Sequence, residues 1–233
     1  MTPILAPQPP VLAAIAGDAA HGFPVRRLFC IGRNYADHAR EMGKDPTREP
    51  PFFFTKWAET VVPSGTAIAY PPETKSLHHE VELVVAIGRE GFRVSVADAP
   101  SLVWGYAVGL DMTRRDLQQI AKDMARPWDA SKNFAQSCPM GAITPAAEAG
   151  DIANAAITLE VNGTIRQKGR ISDMIWSVAE VIAEVSKFYR LGAGDLIFTG
   201  TPAGVGAVAS GDRLSARIEG LSPLDITVGP PSA

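Results

Sequence analysis

Two glutamates, two residues apart, open one of the most apolar stretches of the chain. This stretch, SLHHEVELVVAIG at residues 76–88, is rich in β-branched and apolar residues and predicts a strand. Alternation along that strand places Glu80 and Glu82 on one face, with Val81 and Leu83 on the other. Adjacent carboxylates repel each other, so either a cation compensates them or one of them takes up a proton.

A third carboxylate, Asp111, ends the apolar strand predicted from VWGYAVGLD. Three hard oxygen donors of this kind suit Mg²⁺ or Mn²⁺, with Ca²⁺ as an ion that a crystal could hold in their place. The alternative is that Glu80 and Glu82 pair with lysine or arginine side chains at a strand edge. Spacing alone leaves both interpretations open.

A second group of reactive residues lies in the segment HAREM, where His38 and Glu41 are three positions apart. On the short helix predicted there, such residues are neighbours, so the carboxylate can orient the imidazole and stabilise its charged form. This pair could take a proton from water, as the histidine and carboxylate of a hydrolase triad do. The alternative is an ordinary pair of surface side chains.

Two further segments could contact an anionic ligand. The glycine-rich TGTPAGVG lacks the spacing of a nucleotide-binding loop, and Pro202 removes an amide donor, but its turn could offer the Thr201 hydroxyl to a carboxylate. Lys132, in DASKNF, could contact an anionic substrate or an enolate. A plain turn and a solvated lysine are the respective alternatives.

The composition limits the classes of function. The 233 residues are 46% hydrophobic with a net charge of −3, so no broad basic surface predicts binding to nucleic acid or to an anionic membrane. No run approaches the ~18 apolar residues of a transmembrane helix. Cys30 and Cys138 are expected to be buried free thiols. We expect a cytoplasmic protein, with residues 1–24 as a partly ordered lead and residues 25–233 as one catalytic domain.

The elements that must position these residues are mostly short strands. The 21 glycines and 19 prolines indicate many turns, and the Asn162–Gly163 pair predicts a hairpin. Ordered structure is expected to begin near Val25. Helices are expected at residues 113–124, with Leu117, Ile120 and Met124 as the apolar face, and at residues 174–189. The pattern predicts a mainly β or α+β fold.

Taken in order, the motifs carry a resemblance to a known family. They are IGRNYADHAREMG, HHEVELVVAIG, GYAVGLDMTRRDLQ, SKNF, GDLIFTGTPAGVG and GDRLSARIEG, between about Arg27 and Ile226. With these segments the chain resembles the fumarylacetoacetate hydrolase family, and within it the acylpyruvate hydrolase branch. The resemblance implies a mixed β-sandwich roll with a few short helices, assembled as a homodimer.

The resemblance also implies roles for individual residues. Glu80, Glu82 and Asp111 would bind Mg²⁺ or Mn²⁺, and His38 with Glu41 would activate water on a lid that orders over the substrate. The remaining predicted positions contact the substrate or its enolate: Arg115, Gln118, Thr201 and Lys132, the last with a catalytic role. Arg33, Arg40 and Lys44 are candidates for a distal carboxylate. Trp57 departs from the family, which often has proline there, and this puts the wall of the pocket in question.

The activity implied is the hydrolysis of a carbon–carbon bond in an acylpyruvate, a small 1,3-diketo acid. Fumarylpyruvate is the leading substrate, giving fumarate and pyruvate as in the breakdown of aromatic compounds. Oxaloacetate decarboxylation and a hydroxymuconate-type isomerisation or decarboxylation are alternatives that use the same enolate. A non-catalytic protein that binds small acids is a further alternative, although a pure binder has no need of a placed base.

Overall fold

A computed structural model describes residues 3–36 and 49–231 of the chain. In this part of the chain no helix is long and apolar enough to cross a membrane. The α-helices are α1 (Arg115–Asp123), α2 (Asp129–Lys132) and α3 (Val178–Phe188). The strands are β1 (Val11–Ile15), β2 (Asp18–Val25), β3 (Arg27–Gly32), β4 (Phe52–Lys56), β5 (Val61–Pro63), β6 (Ala67–Tyr70), β7 (Leu77–His79), β8 (Val81–Ile87), β9 (Val103–Leu110), β10 (Thr113–Arg114), β11 (Cys138–Met140), β12 (Thr144–Pro145), β13 (Ala156–Val161), β14 (Thr164–Arg170), β15 (Asp195–Phe198), β16 (Gly206–Val208), β17 (Arg213–Ile218) and β18 (Leu224–Pro231).

The largest sheet has eight strands and is mixed. Its order is β4-β3-β15-β8-β9-β11-β5, and β12 also pairs with β9. Strand β15 runs parallel to β3 and antiparallel to β8. Every residue of β8 is buried, because the sheet is covered on both faces. This explains why β8 is a continuous apolar run, interrupted only by Glu82.

A five-stranded sheet, in the order β14-β13-β17-β18-β6, contributes to the main core. Leu83 and Val85 of the large sheet lie in one buried cluster with Leu159 of β13, Ala216 of β17 and Val181 of α3. Val84 and Ala86 belong to a second cluster on the other face of β8, as strand alternation requires. The mainly β fold that the sequence predicted, a mixed β-sandwich roll with few helices, is confirmed.

The N-terminal residues contribute to the second core. Strands β1 and β2 form an antiparallel hairpin, and Phe23 and Val25 are buried in the cluster on the outer face of the large sheet. The hairpin joins Ile143 through two backbone hydrogen bonds. The prediction that ordered structure begins near Val25 is therefore wrong, since this hairpin depends on pairing with a distant segment. The division at residue 25 into a lead and a catalytic domain stays a prediction.

Local sequence signals predicted the hairpin turn correctly, but they predicted the strand at residues 76–88 less accurately. The hairpin of β13 and β14 turns at Asn162 and Gly163, whose φ angles of 52° and 76° match a two-residue turn with positive φ at both positions. The strand predicted at residues 76–88 is instead divided into β7 and β8, with Glu80 between them. Its carbonyl accepts a 2.9 Å hydrogen bond from the Asp111 N–H, which brings two of the carboxylates together.

Helix α1 presents a different face to the protein from the one predicted. Ile120 and Met124 are 53% and 51% exposed, whereas Gln118 is only 3% exposed. The predicted apolar face is therefore not the buried face of this helix, because its inner face borders a polar cavity. Cys30 and Cys138 are buried and free, as expected.

Candidate active site

Three carboxylates converge where β8 begins and β9 ends, two adjacent strands of the large sheet. Glu80 lies between β7 and β8, Glu82 is the second residue of β8, and Asp111 follows β9 directly. One oxygen of each lies within 4.8 Å of the others, and all three side chains are buried. The antiparallel pairing of β8 with β9 holds them in this register. The chain thus assembles three hard oxygen donors in one place.

Three cations offset the charge of these carboxylates. The Lys132 ammonium donates hydrogen bonds of 2.6 Å to both Glu80 Oε2 and Asp111 Oδ2. Lys56 Nζ lies 2.6 Å from Asp111 Oδ1 and also donates to the Ser137 carbonyl at 2.9 Å. Arg115 pairs with Glu80 through Nη2. Buried charges are tolerated only when they are paired in this manner.

Both buried lysines are held in the charged form. Burial acts to lower the pKa of Lys56, but Asp111, together with Cys138 and Cys30, outweighs burial and the pKa is raised. For Lys132 burial likewise acts to lower the pKa, and Asp111 with Glu80 raises it above the ordinary value. Sequence reasoning missed Lys56, whose one signal was a lysine that closes a strand of three phenylalanines.

Glu82 differs from its two neighbours because its hydrogen bond comes from the backbone. The N–H of Gly200 donates to Glu82 Oε2 at 2.8 Å. Burial raises the pKa of Glu82 well above its usual range, and repulsion from Asp111 and Glu80 adds to this. Gly200 has a φ of +98°, and a Cβ there would lie 2.8 Å from that of Asn34, so the turn requires glycine. A buried carboxylate facing two others suits a hard divalent cation, which all three could bind.

The residues predicted to contact a substrate lie around these carboxylates. Arg115, Gln118, Lys132 and Thr201 line one cavity with Glu80, Glu82 and Asp111. The Arg115 Nη1 donates to Gln118 Oε1 at 2.6 Å, which leaves the amide Nε2 of Gln118 as a donor. The inner end of the cavity therefore combines a set of carboxylates with several groups able to donate to a bound anion.

The outer end of the cavity is cationic and aromatic. Arg33, predicted to contact substrate, lies over the Phe52 ring with 5.2 Å between its guanidinium carbon and the ring centroid. Lys122, which sequence reasoning did not single out, lies over Trp128 with Nζ 5.3 Å from a ring centroid. Burial lowers the pKa of Lys122 to about 8, helped by repulsion from Arg115 and Arg33. The three carboxylates at the inner end are the only acidic side chains among the described residues that line the cavity.

The predicted water-activating pair cannot be placed on this geometry. His38 and Glu41 lie outside the described residues, as do Arg40 and Lys44. The described chain stops at Ala36, shortly after Arg33 of the cavity wall, and resumes at Glu49. The role of this pair stays a prediction from the sequence.

Comparison with known proteins identifies the family. The model of the fumarylacetoacetate (FAA) hydrolase C-terminal domain matches residues 27–229. The chain belongs to the fumarylacetoacetate hydrolase family. A family structure, fumarylpyruvate hydrolase from Pseudomonas aeruginosa in complex with Mn²⁺ and pyruvate, superposes with a TM-score of 0.95 at 51% identity. The superposition covers 98% of this chain and 99% of the Pseudomonas chain.

Characterised members of the family include close relatives with different activities. A fumarylpyruvate hydrolase of Ralstonia sp is 49% identical over 186 residues, or 80% of this chain and 96% of the relative. A mitochondrial oxaloacetate tautomerase of Bos taurus is 42% identical over 206 residues, or 88% of this chain and 93% of the relative. These findings confirm the predicted enzyme class, a hydrolase of carbon–carbon bonds.

Proposed function

We propose that this enzyme hydrolyses an acylpyruvate, with fumarylpyruvate as its substrate and fumarate and pyruvate as its products. The observation that carries the proposal is the division of charge along the cavity. The inner end holds three carboxylates, of which Glu80 and Asp111 are paired with cations, and the outer end adds Arg33 and Lys122 without any further acidic lining residue in the described chain. A substrate with a carboxylate at each end matches this arrangement. The Ralstonia relative is a fumarylpyruvate hydrolase.

A divalent cation, Mg²⁺ or Mn²⁺, would be held by Glu80, Glu82 and Asp111. When bound, it supplies Lewis acidity that polarises a carbonyl and stabilises negative charge on oxygen. The donor set of three buried carboxylates supports this assignment, and so does the Mn²⁺ in the Pseudomonas relative. Lys132 pairs with Glu80 and Asp111, and Lys56 pairs with Asp111, so these two lysines offset the charge of two of the carboxylates.

The side chains at the inner end are assigned to the pyruvyl group. Arg115 and Gln118 would donate to its carboxylate, and Thr201 would add a hydroxyl donor from the glycine-rich turn. Lys132 would donate to the oxygen that gains charge when the carbon–carbon bond breaks. At the other end, Arg33 and Lys122 would bind the distal carboxylate, and the ring of Trp128 beside Lys122 would border the planar chain.

Cleavage of the carbon–carbon bond consumes one water and gives two products. His38, oriented by Glu41, would take a proton from water as the oxygen adds to the distal carbonyl. The bond between that carbon and the pyruvyl methylene then breaks, and its electron pair forms the enolate of pyruvate. Protonation of the enolate carbon releases pyruvate, and the acyl part leaves as fumarate. The role of His38 and Glu41 rests on the sequence resemblance.

Product analysis tests the proposal directly. Purified enzyme with Mn²⁺ and fumarylpyruvate is expected to lose the enol absorbance and to release fumarate and pyruvate in equal amounts. Chelation should stop the reaction, and His38→Ala should stop it while pyruvate still binds. The proposal fails if the metal-loaded enzyme leaves fumarylpyruvate intact, or consumes it without releasing fumarate.

Oxaloacetate tautomerisation is a second candidate, favoured by the Bos taurus relative. Oxaloacetate also carries a carboxylate at each end, but its tautomerisation moves a proton between carbon and oxygen and breaks no carbon–carbon bond. It therefore needs no attacking water. Conversion of oxaloacetate that survives in the His38→Ala variant, without hydrolysis by the unaltered enzyme, would favour this activity. Release of CO₂ from oxaloacetate would instead indicate the decarboxylase alternative.

The oligomeric state, location and metabolic role of the enzyme are also part of the proposal. A homodimer, a cytoplasmic location and a place in the breakdown of aromatic compounds are the expectations from sequence. Light scattering of the purified protein would test the first of these expectations.

A further inference from the structure

Gln167 connects the five-stranded sheet to the cavity. It lies on β14, its side chain is fully buried, and it reaches the glycine-rich turn that carries Thr201. We propose that Gln167 is a positioning residue that fixes the Thr201 hydroxyl as a hydrogen-bond donor toward the carboxylate of the pyruvyl group. This inference rests on the proposed function for the identity of the ligand, but not for the geometry of the hydrogen bonds.

The orientation of the Gln167 amide is fixed at both ends by backbone groups. Its Oε1 receives the N–H of Val81 at 3.1 Å, and a backbone N–H can only donate. Its Nε2 donates to the carbonyl of Pro202 at 2.8 Å, and a carbonyl can only accept. If the amide oxygen and nitrogen were exchanged, the NH₂ group would face the Val81 N–H, another donor, and the oxygen would face the Pro202 carbonyl, another acceptor. The oxygen must therefore face Val81, and the nitrogen must face the turn.

This orientation determines what the Thr201 hydroxyl can do. The same Nε2 lies 2.8 Å from Thr201 Oγ1, so the hydroxyl oxygen accepts a hydrogen bond from Gln167. A hydroxyl has only one proton, and this proton cannot point toward a group that is already donating a hydrogen bond to the hydroxyl oxygen. The Thr201 proton is therefore directed away from Gln167, and Thr201 lines the cavity beside the carboxylate cluster. The hydroxyl is left as a donor to a bound anion.

Two further contacts keep the amide and the turn in place. His79 Nδ1 lies 2.9 Å from Gln167 Oε1, and because this oxygen accepts, the ring nitrogen carries the proton. Gly204 has a φ of +95°, and a Cβ there would lie 2.0 Å from the carbonyl oxygen of Arg166 on β14. The turn thus packs directly on the backbone of the strand that carries Gln167.

The consequence for binding is a larger gain in affinity for a carboxylate than for a neutral acceptor. A hydroxyl that must donate forms a charge-assisted hydrogen bond with an anionic oxygen, whereas a freely rotating hydroxyl pays an entropy cost to do so. Losing one such bond costs about 10-fold in affinity. The effect should appear in the affinity for the ligand and in KM more than in kcat.

Gln167→Glu is the test because it keeps the shape and reverses the polarity beside Thr201. One carboxylate oxygen still receives the Val81 N–H, while the other can no longer donate to the Pro202 carbonyl and instead accepts the Thr201 proton, which diverts that proton from the ligand. With Mn²⁺ saturating, calorimetric titration with oxalate, a planar mimic of pyruvate enolate, should show affinity reduced about 10-fold. Mn²⁺ affinity should be unchanged. Thr201→Val should match this loss, and Thr201→Ser should restore binding.

Gln136→Glu is the matched control, because its Oε1 likewise accepts a backbone N–H, from Ala69 at 2.8 Å, but it does not line the cavity. It should leave oxalate affinity unchanged. If Gln167→Glu fails to fold, as thermal melting would show, Gln167→Met removes the Nε2 donor at similar size and should also weaken oxalate binding.

A double-mutant cycle separates positioning from general damage. In the Thr201→Val background, Gln167→Glu should change oxalate affinity by less than about twofold, because the hydroxyl on which it acts is already gone. Equal losses in both backgrounds, or unchanged affinity in folded Gln167→Glu, would overturn the inference. If oxalate binding follows the expected pattern but fumarylpyruvate is not cleaved, the positioning role stands and the proposed function fails.

Discussion

Lys132 and Lys122 line the same cavity, but the protein shifts their pKa values in opposite directions. Lys132 is fully buried between Glu80 and Asp111, and these carboxylates outweigh the effect of burial and raise its pKa. Lys122 lies against the ring of Trp128, where burial and the nearby Arg115 and Arg33 lower its pKa to about 8. The difference lies in the partners rather than in the residue type.

This contrast separates two uses of positive charge. At the inner end the cations also stabilise the fold, since removing one leaves a buried carboxylate with fewer partners. At the outer end the effect of Glu80 on Lys122 is weaker than the repulsion from Arg115 and Arg33, and a ligand carboxylate would stabilise the charge of Lys122 and Arg33. We therefore expect substitution of the ion-paired residues at the inner end to affect metal binding and folding as well as ligand contacts, and substitution of Arg33 or Lys122 to affect mainly the affinity for a distal carboxylate.

Among substitutions of the described cavity residues, Glu82→Gln should have the largest effect on turnover. Glu82 receives a backbone N–H from Gly200, whereas Glu80 and Asp111 are paired with Lys132, so its neutralisation leaves those ion pairs intact. Loss of a metal ligand should lower Mn²⁺ affinity and turnover by at least about 100-fold. The free energy of unfolding in the presence of chelator should not fall, because the substitution removes an unfavourable buried charge. Unchanged Mn²⁺ affinity in calorimetry would contradict this prediction.

Lys132→Met should lower the free energy of unfolding much more than Lys122→Met does. The first leaves Glu80 and Asp111 with one cation fewer in a buried site, which should lower the free energy of unfolding by about 3 kcal/mol in chelator. The second removes a half-buried lysine and should change it by no more than about 0.5 kcal/mol. Urea unfolding of both variants would measure the difference. Equal losses would show that the two lysines are not distinguished by their partners.

The pH dependence of KM should depend on Lys122. With a pKa of about 8, its ammonium is charged below that pH and becomes neutral above it. Affinity for fumarylpyruvate should therefore be present at lower pH and decline as the pH rises through about 8, by about 10-fold for one charge-assisted hydrogen bond. Lys122→Arg should abolish this decline. Acetylpyruvate, which lacks the distal carboxylate, is the control substrate, and an equal decline with it would contradict the assignment.

Much of the architecture could be predicted from local signals. The hairpin at Asn162–Gly163 follows from a dipeptide that favours positive φ, and the predicted sharing of a face by Val81 and Leu83 agrees with their place in one buried cluster. The three carboxylates stood out because acidic residues are rare in apolar strands. The order of the motifs then indicated the family, which no single motif could do.

The residues that sequence reasoning missed depend on contacts between distant parts of the chain. Lys56 looks like an ordinary strand-ending lysine until Asp111 and Ser137 fold around it. Gln167 lies on an otherwise polar strand and acquires its partners only when the two sheets meet. The apolar residues of α1 led to the opposite error. They are spaced as in a helix that faces a core, but the protein buries Gln118 instead. Local patterns cannot reveal which polar groups a cavity will border.

The hydrogen bond from Val81 to Gln167 also makes one peptide proton a reporter of the active site. Val81 begins β8, next to Glu82, yet its N–H is donated to a side chain from the other sheet. Exchange of this proton with deuterated solvent requires its hydrogen bond to Gln167 to break beside the cavity. Its exchange rate would therefore measure how often the site opens in the resting enzyme, before any substrate is present.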